Sequence, residues 1–143
     1  MKPMILLVDD EAMLREVIGD VLVKEGFVCI PCANGPDAMR LIDAGPYKFD
    51  LLLSDVKMPG TIDGFEVAER FKAKYPEGSV ILLSGYIDEK AAASLSRDRV
   101  RVLQKPLRAQ ELLDAVKEAL ALASVMSEGS NVTPLDPNSQ QPR

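Results

Sequence analysis

The stretch FDLLLSDVKMPGTIDG, residues 49–64, decides the fold. Its apolar run Leu51-Leu52-Leu53 ends at Ser54 and Asp55, and the chain then breaks into Met58-Pro59-Gly60. A short apolar run closed by turn residues reads as a buried strand. Asp55 therefore falls at the carboxyl end of that strand, the edge where open α/β sheets build their sites.

Outward from this stretch the chain alternates. On the amino side, Met4-Ile5-Leu6-Leu7-Val8 is continuously apolar, as strands buried on both faces are. Asp9-Asp10-Glu11 follows. Leu14, Val17, Ile18, Val21 and Leu22 then repeat at helical spacing up to Gly26. Residues 27–33 form a weaker strand, interrupted by Pro31 and so suited to an edge. A helix opened by Asn34-Gly35-Pro36 buries Ala38, Leu41 and Ile42 and stops at Gly45-Pro46.

On the carboxyl side, a helix over residues 64–75 buries Phe65, Ala68 and Phe71. Ser79 to Ser84 reads as a fourth strand, and residues 89–96 as a short alanine-rich helix with a thin apolar stripe, Ala92 and Leu95. Val100 to Gln104 is a fifth strand, followed by Lys105-Pro106. A last helix over residues 109–123 buries Leu112, Leu113, Val116 and Leu120. Five strands alternating with five helices predict an α/β fold: a parallel sheet covered on both faces, with right-handed crossovers. Residues 1–125 make one domain. Residues 126–143, SEGSNVTPLDPNSQQPR after Met126, have too little apolar surface to offset their ordering entropy and are expected to be a flexible polar tail.

Composition narrows the chemistry. Apolar residues make up 47%, charged residues 27%, and the net charge is −5, an ordinary globular balance without a basic stripe for nucleic acid. No apolar run approaches a membrane span, and the amino terminus reads as a strand rather than a signal peptide. There is no histidine, which excludes Ser/His/Asp hydrolysis, Cys/His nucleophiles and His-ligated zinc. Cys29 and Cys32 form a C-x-x-C inside a strand-like segment. A redox motif of that kind opens a helix, and two cysteines cannot complete a zinc site. They are expected to be reduced packing residues of a cytoplasmic protein.

In a parallel sheet all carboxyl strand ends lie on one edge. That edge collects Asp9 and Asp10, Asp55, Ser84 and Lys105. Taken singly, an Asp-Asp pair after a strand is more often a helix cap, Ser84 a turn residue and Lys105 a solvated cation. Their joint placement carries the functional reading. Two carboxylates about 5 Å apart repel by roughly 3 kcal/mol at an effective dielectric near 20, so a cluster calls for a bound cation. Mg²⁺ prefers carboxylate oxygens and bridges to phosphate. With it, Asp55 can act as a nucleophile and form an aspartyl phosphate. Lys105 would bind one phosphoryl oxygen and Ser84 would donate a hydrogen bond to another.

At this point the chain resembles the receiver domain of a two-component response regulator. The resemblance rests on VDDE at positions 8–11, LLLSDVKMPG and DG around Asp55, LLSGY around Ser84 and QKP at 104–106, and it covers about residues 4–123. It implies a flavodoxin-like, doubly wound five-stranded sheet in order 2-1-3-4-5. It implies that Asp55 is the phosphoacceptor for a partner's phosphohistidine, from a sensor histidine kinase or a histidine phosphotransfer protein. It also implies Mg²⁺ bound directly by Asp10, Asp55 and the Lys57 carbonyl, with Asp9 acting through water, Lys105 and Ser84 on the phosphoryl group, and a cis Lys105–Pro106 bond.

The sequence departs from the family pattern in three places. The loop over residues 59–63 carries one extra residue, Gly60-Thr61-Ile62 standing where two are usual, and is expected to bulge without moving Asp55. Val102 stands three places before the lysine, where the family usually carries an aromatic. No output domain follows, so a stand-alone receiver is expected. It would be a monomer or weak homodimer that signals by phosphorelay or by protein contact through the 89–96 helix, strand five and the last helix. The 89–96 helix is expected to be the least stable element.

The competing readings are a phosphorylation-independent interaction module with the same fold, which Val102 favours, and an aspartate-nucleophile phosphatase. The second would want an acid two residues after the nucleophile, where this chain has Lys57. A flavin site would need a phosphate-cradling loop after strand one, where three acids stand instead.

Overall fold

A computed structural model describes residues 2–86, 89, 93 and 99–131, the last ten of them as backbone only. Its elements are β1 (Met4–Val8), α1 (Ala12–Lys24), β2 (Val28–Cys32), α2 (Gly35–Ala44), β3 (Leu51–Asp55), α3 (Gly64–Lys74), β4 (Ser79–Ser84), β5 (Val100–Gln104) and α4 (Ala109–Asn131). The helix expected over residues 89–96 lies outside the described residues, apart from Glu89 and Ala93. All strand pairs are parallel, in the order β2-β1-β3-β4-β5.

Alternation along the strands builds two cores. Leu6, Val8, Leu52, Val80 and Leu82 face one side and pack with Ala38 and Ile42 of α2 and Val67, Ala68 and Phe71 of α3. Ile5, Leu7, Leu51, Leu53, Ile81 and Leu83 face the other and pack with Ile18 and Leu22 of α1 and Leu112, Leu113 and Val116 of α4. Successive strand residues point to opposite faces, so a fully apolar strand fills both layers.

The two cysteines follow the same rule. Cys29 packs on the α1/α4 side and Cys32 on the α2/α3 side, and both are free. Pro31 is paired to Leu7 on β2, an edge strand, as expected of a residue that cannot donate to a ladder.

Two features differ from the sequence reading. Val17 is 57% exposed, because the side of α1 turned to the sheet is centred on Ile18 and Leu22 and leaves Val17 on its flank. The last helix does not end near residue 123 but continues to Asn131. The segment ALASVM holds good helix formers, and no proline intervenes before Pro134.

The extra loop residue has a definite seat. Ile62 is partly buried against the α2/α3 core, so close to Gly35 that a Cβ at Gly35 would lie 2.5 Å from Ile62 Cγ2. Asp55 remains the last residue of β3. Val102 is paired with Leu82 and buried in the same core.

Candidate functional site

The sheet order sets β1 and β4 on either side of β3, with β5 beyond β4, so their ends converge around Asp55. Asp9, just past β1, is fully buried. Its amide donates to the Cys32 carbonyl at 3.1 Å. Its Oδ1 accepts from the Glu11 amide at 2.8 Å, the turn that an aspartate often closes onto the backbone two residues on. Its Oδ2 is buried with no hydrogen-bond partner. This turn uses one oxygen and leaves the other for a cation. Asp10 is exposed beside it.

Asp55 is 7% exposed, and Lys105 Nζ stands 2.6 Å from its Oδ1. Carboxylate oxygens of Asp9, Asp10 and Asp55 all lie within 4.8 Å of one another. Burial pushes the Asp55 carboxyl above its ordinary value. The Lys105 hydrogen bond opposes this, while the charges of Asp9 and Asp10 add to it. Asp9 is also raised by burial, against the pull of the Glu11 amide and of Lys105. Burial alone would lower Lys105, but its hydrogen bond to Asp55 and the charges of Asp55, Asp9 and Glu11 hold it above the ordinary lysine value.

Lys105 is fixed by its backbone: its amide donates to the Ser84 carbonyl at 2.8 Å, and the bond to Pro106 is cis. Ser84 is buried at the end of β4. Its hydroxyl donates to the Tyr86 carbonyl at 2.6 Å and accepts from the Tyr86 amide at 3.2 Å, so its proton is engaged in its own turn. Lys57, two residues past Asp55, is exposed between the buried Val56 and Met58.

The structure therefore brings Asp9, Asp10, Asp55 and Lys105 together and puts Ser84 on the neighbouring strand end. Three hard oxygen donors, one of them a buried orphan, face a single lysine charge. This donor set fits Mg²⁺.

Three contributors were not anticipated from sequence. Ser54, fully buried, donates its hydroxyl to the Asp55 carbonyl at 2.9 Å. A polar residue inside an apolar strand must find such a partner, and that was the available signal. Gly64 opens α3 so close to β3 that a Cβ would fall 2.2 Å from the Asp55 carbonyl oxygen. Arg15 Nη1 donates to the Asp9 carbonyl at 2.7 Å.

A doubly wound parallel sheet with a lysine-paired aspartate and an acid cluster at its carboxyl edge defines a phosphoacceptor class. Residues 5–117 match the response regulator receiver domain, and the chain belongs to that family. It carries the phosphoacceptor receiver domain of two-component response regulators.

Among its relatives, sporulation initiation phosphotransferase F of Bacillus subtilis is 33% identical over 125 residues, which are 87% of this chain and 98% of that protein. The positive alginate biosynthesis regulatory protein of Pseudomonas aeruginosa is 36% identical over 118 residues, and the chain spans only 46% of that protein's length. Among solved structures, a CheY-like receiver domain protein from Methanospirillum hungatei superposes with a TM-score of 0.81 at 25% identity. The match covers 88% of this chain and 99% of that one. Among the described residues no helix is long and apolar enough to cross a membrane.

Proposed function

We propose that Asp55 is the residue phosphorylated, that Lys105 and Ser84 bind the phosphoryl oxygens, and that Asp10, Asp55 and the Lys57 carbonyl hold Mg²⁺, with Asp9 acting through water. The observation that carries this reading is the 2.6 Å pair of Lys105 and Asp55 inside a carboxylate cluster no wider than 4.8 Å. Bound Mg²⁺ would neutralise charge on the phosphoryl oxygens.

An Asp55 oxygen attacks the phosphorus of a phosphohistidine. The P–O bond forms as the P–N bond breaks, and the electron pair leaves on the imidazole nitrogen, which takes up a proton. The ionised carboxylate needs no base, so a chain without histidine is adequate. Lys105, already on Asp55 Oδ1, transfers its hydrogen bond to a phosphoryl oxygen as a point charge. Ser84 exchanges the Tyr86 carbonyl for a phosphoryl oxygen, and this exchange reshapes the turn after β4. Hydrolysis of the acyl phosphate in the same site returns the starting state.

The donor is a histidine kinase or a histidine phosphotransfer protein. It must approach the carboxyl edge, where an apolar groove between α1 and α4 opens beside Lys105 and Pro106. Val17 lines that groove, and Met13 stands 81% exposed one turn away. The phosphorylated state contacts its target through β5, the last helix and the 89–96 segment. Free Cys29 and Cys32 suit a reducing, cytoplasmic setting.

The test is intact mass after incubation with acetyl phosphate, with and without Mg²⁺, for wild type and Asp55→Asn. One added phosphate that requires Mg²⁺ and is absent in the variant supports the reading. Equal labelling of the variant overturns it.

A further inference from the structure

Of the three clustered carboxylates, Asp9 is buried and anchored and Asp55 is held by Lys105, whereas Asp10 is exposed. Among the described residues the Asp10 carboxylate has no hydrogen-bond partner. Something other than its own contacts must aim it at the cluster. The backbone offers the means. The Asp9 carbonyl lies in the same rigid peptide plane as the Asp10 nitrogen and Cα, so holding that oxygen constrains where the Asp10 Cα, the root of its side chain, sits.

The group that fixes it is Arg15, which reaches back from the second turn of α1 to the Asp9 carbonyl at 2.7 Å. Glu11, at the head of α1, provides no side-chain cap of its own. Besides backbone bonds, two bonds that involve side chains hold the entry to the helix: the Glu11 amide on Asp9 Oδ1 and Arg15 on the Asp9 carbonyl.

We infer that Arg15 is a positioning residue for the divalent cation: by clamping the Asp9–Asp10 peptide plane it pre-orients the exposed Asp10 carboxylate toward Asp9 and Asp55. The inference rests on the acid cluster being a Mg²⁺ site. The half-buried Arg15 supplies a rigid planar fork whose reach is set by packing along α1. A lysine would carry the charge on a flexible stem and make a looser bond. Groups that orient metal ligands from outside the coordination sphere typically change affinity by 10–100-fold when removed.

The sign of the effect separates this role from two others. A guanidinium bonded to Asp9's own carbonyl is a positive charge beside a cation site. By charge alone, its removal would tighten Mg²⁺ binding. If Arg15 served the fold only, its removal would lower the melting temperature of the Mg²⁺-free protein and leave Mg²⁺ affinity unchanged. Positioning alone predicts weaker binding.

The experiment is calorimetric titration of the full chain with MgCl₂ for wild type, Arg15→Gln, Arg15→Lys and Asp55→Asn, with Mg²⁺-free melting curves of each. The expected result is Mg²⁺ affinity about tenfold or more weaker in Arg15→Gln, an intermediate loss in Arg15→Lys and no binding in Asp55→Asn. Unchanged or tighter binding in both Arg15 variants, with wild type binding and Asp55→Asn not, overturns the role of Arg15 and leaves the phosphoacceptor reading intact. Absence of Mg²⁺ binding in wild type overturns both. Should Arg15→Gln not fold, the Arg15→Lys titration decides alone, by the same criterion.

Discussion

At the residue scale the site is a set of charges held together at a cost. Asp9 and Asp55 hold protons more tightly in the fold than at their ordinary 3.8, because burial and neighbouring carboxylates disfavour the ionised form. Between 3.8 and their raised values the folded state binds more protons than the unfolded chain. Their contribution to stability therefore falls as pH rises through that window, and the cost is complete above it. Lys105 shares this pH direction but contributes stabilisation rather than a cost. Its raised value gives a stabilising term that is present below 10.5 and lost as pH climbs past its folded value.

On the proposed reading, Mg²⁺ would bind the ionised carboxylates and offset their cost. Melting curves should therefore show a Mg²⁺-induced rise at pH 7–8 that shrinks on acidification. At a hundredfold excess over Kd the stabilisation is about 2.7 kcal/mol. Asp55→Asn should melt higher than wild type without Mg²⁺ and gain nothing from it. A Mg²⁺ gain that grows at low pH would contradict this. In the proposed role Ser84 donates to a charged phosphoryl oxygen, a bond worth about 1.5–3 kcal/mol, so Ser84→Ala should slow single-turnover phosphorylation about tenfold or more.

These charged residues were legible in the sequence because each follows an apolar strand. The contacts of Arg15 and Ser54 were not, since they depend on which carbonyl a side chain reaches once the strand ends are side by side.

At the element scale, the start of α3 is the tightest junction. Asp63 and Glu66 form a reciprocal cap, and Gly64 touches the Asp55 backbone. Gly64→Ala must push α3 away from β3. Overpacking of this kind costs about 1–3 kcal/mol, readable as a lower urea midpoint at unchanged slope. An unaltered midpoint would mean that the two elements part freely. The sequence marks Gly64 only as the start of a helix, because the close approach is a tertiary fact.

The Val102 departure also belongs to this scale. Val102 is a buried core residue paired to Leu82, and the proposed switching rests on the Ser84–Tyr86 turn. The cysteines make a third case. Alternation puts Cys29 and Cys32 on opposite faces of β2, and burial raises the Cys29 thiol to about 11. Mild oxidant should leave the monomer without an internal disulfide, and native alkylation at pH 8 should be slow by mass spectrometry. Rapid loss of both thiols would contradict the packing.

At the scale of the whole molecule, strand order does the organising. Placing β3 centrally buries Asp55 while its neighbours deliver acids from one side and a serine and lysine from the other. The alternation of apolar runs with helical periods predicted this sheet, because fully apolar strands have no stable place except between two helical layers. Helix ends were less legible. Ser, Asn and Gly after Met126 read as a tail, yet α4 carries through to Asn131.

The central claim, that this molecule accepts phosphate on Asp55, is tested most directly by borohydride trapping. Protein treated with acetyl phosphate and Mg²⁺ is reduced, digested and sequenced by tandem mass spectrometry. Reduction of an aspartyl phosphate leaves homoserine, and the account predicts homoserine at position 55 alone, only when Mg²⁺ was present. Homoserine at Asp9, Asp10 or another carboxylate, with residue 55 unchanged, would contradict it.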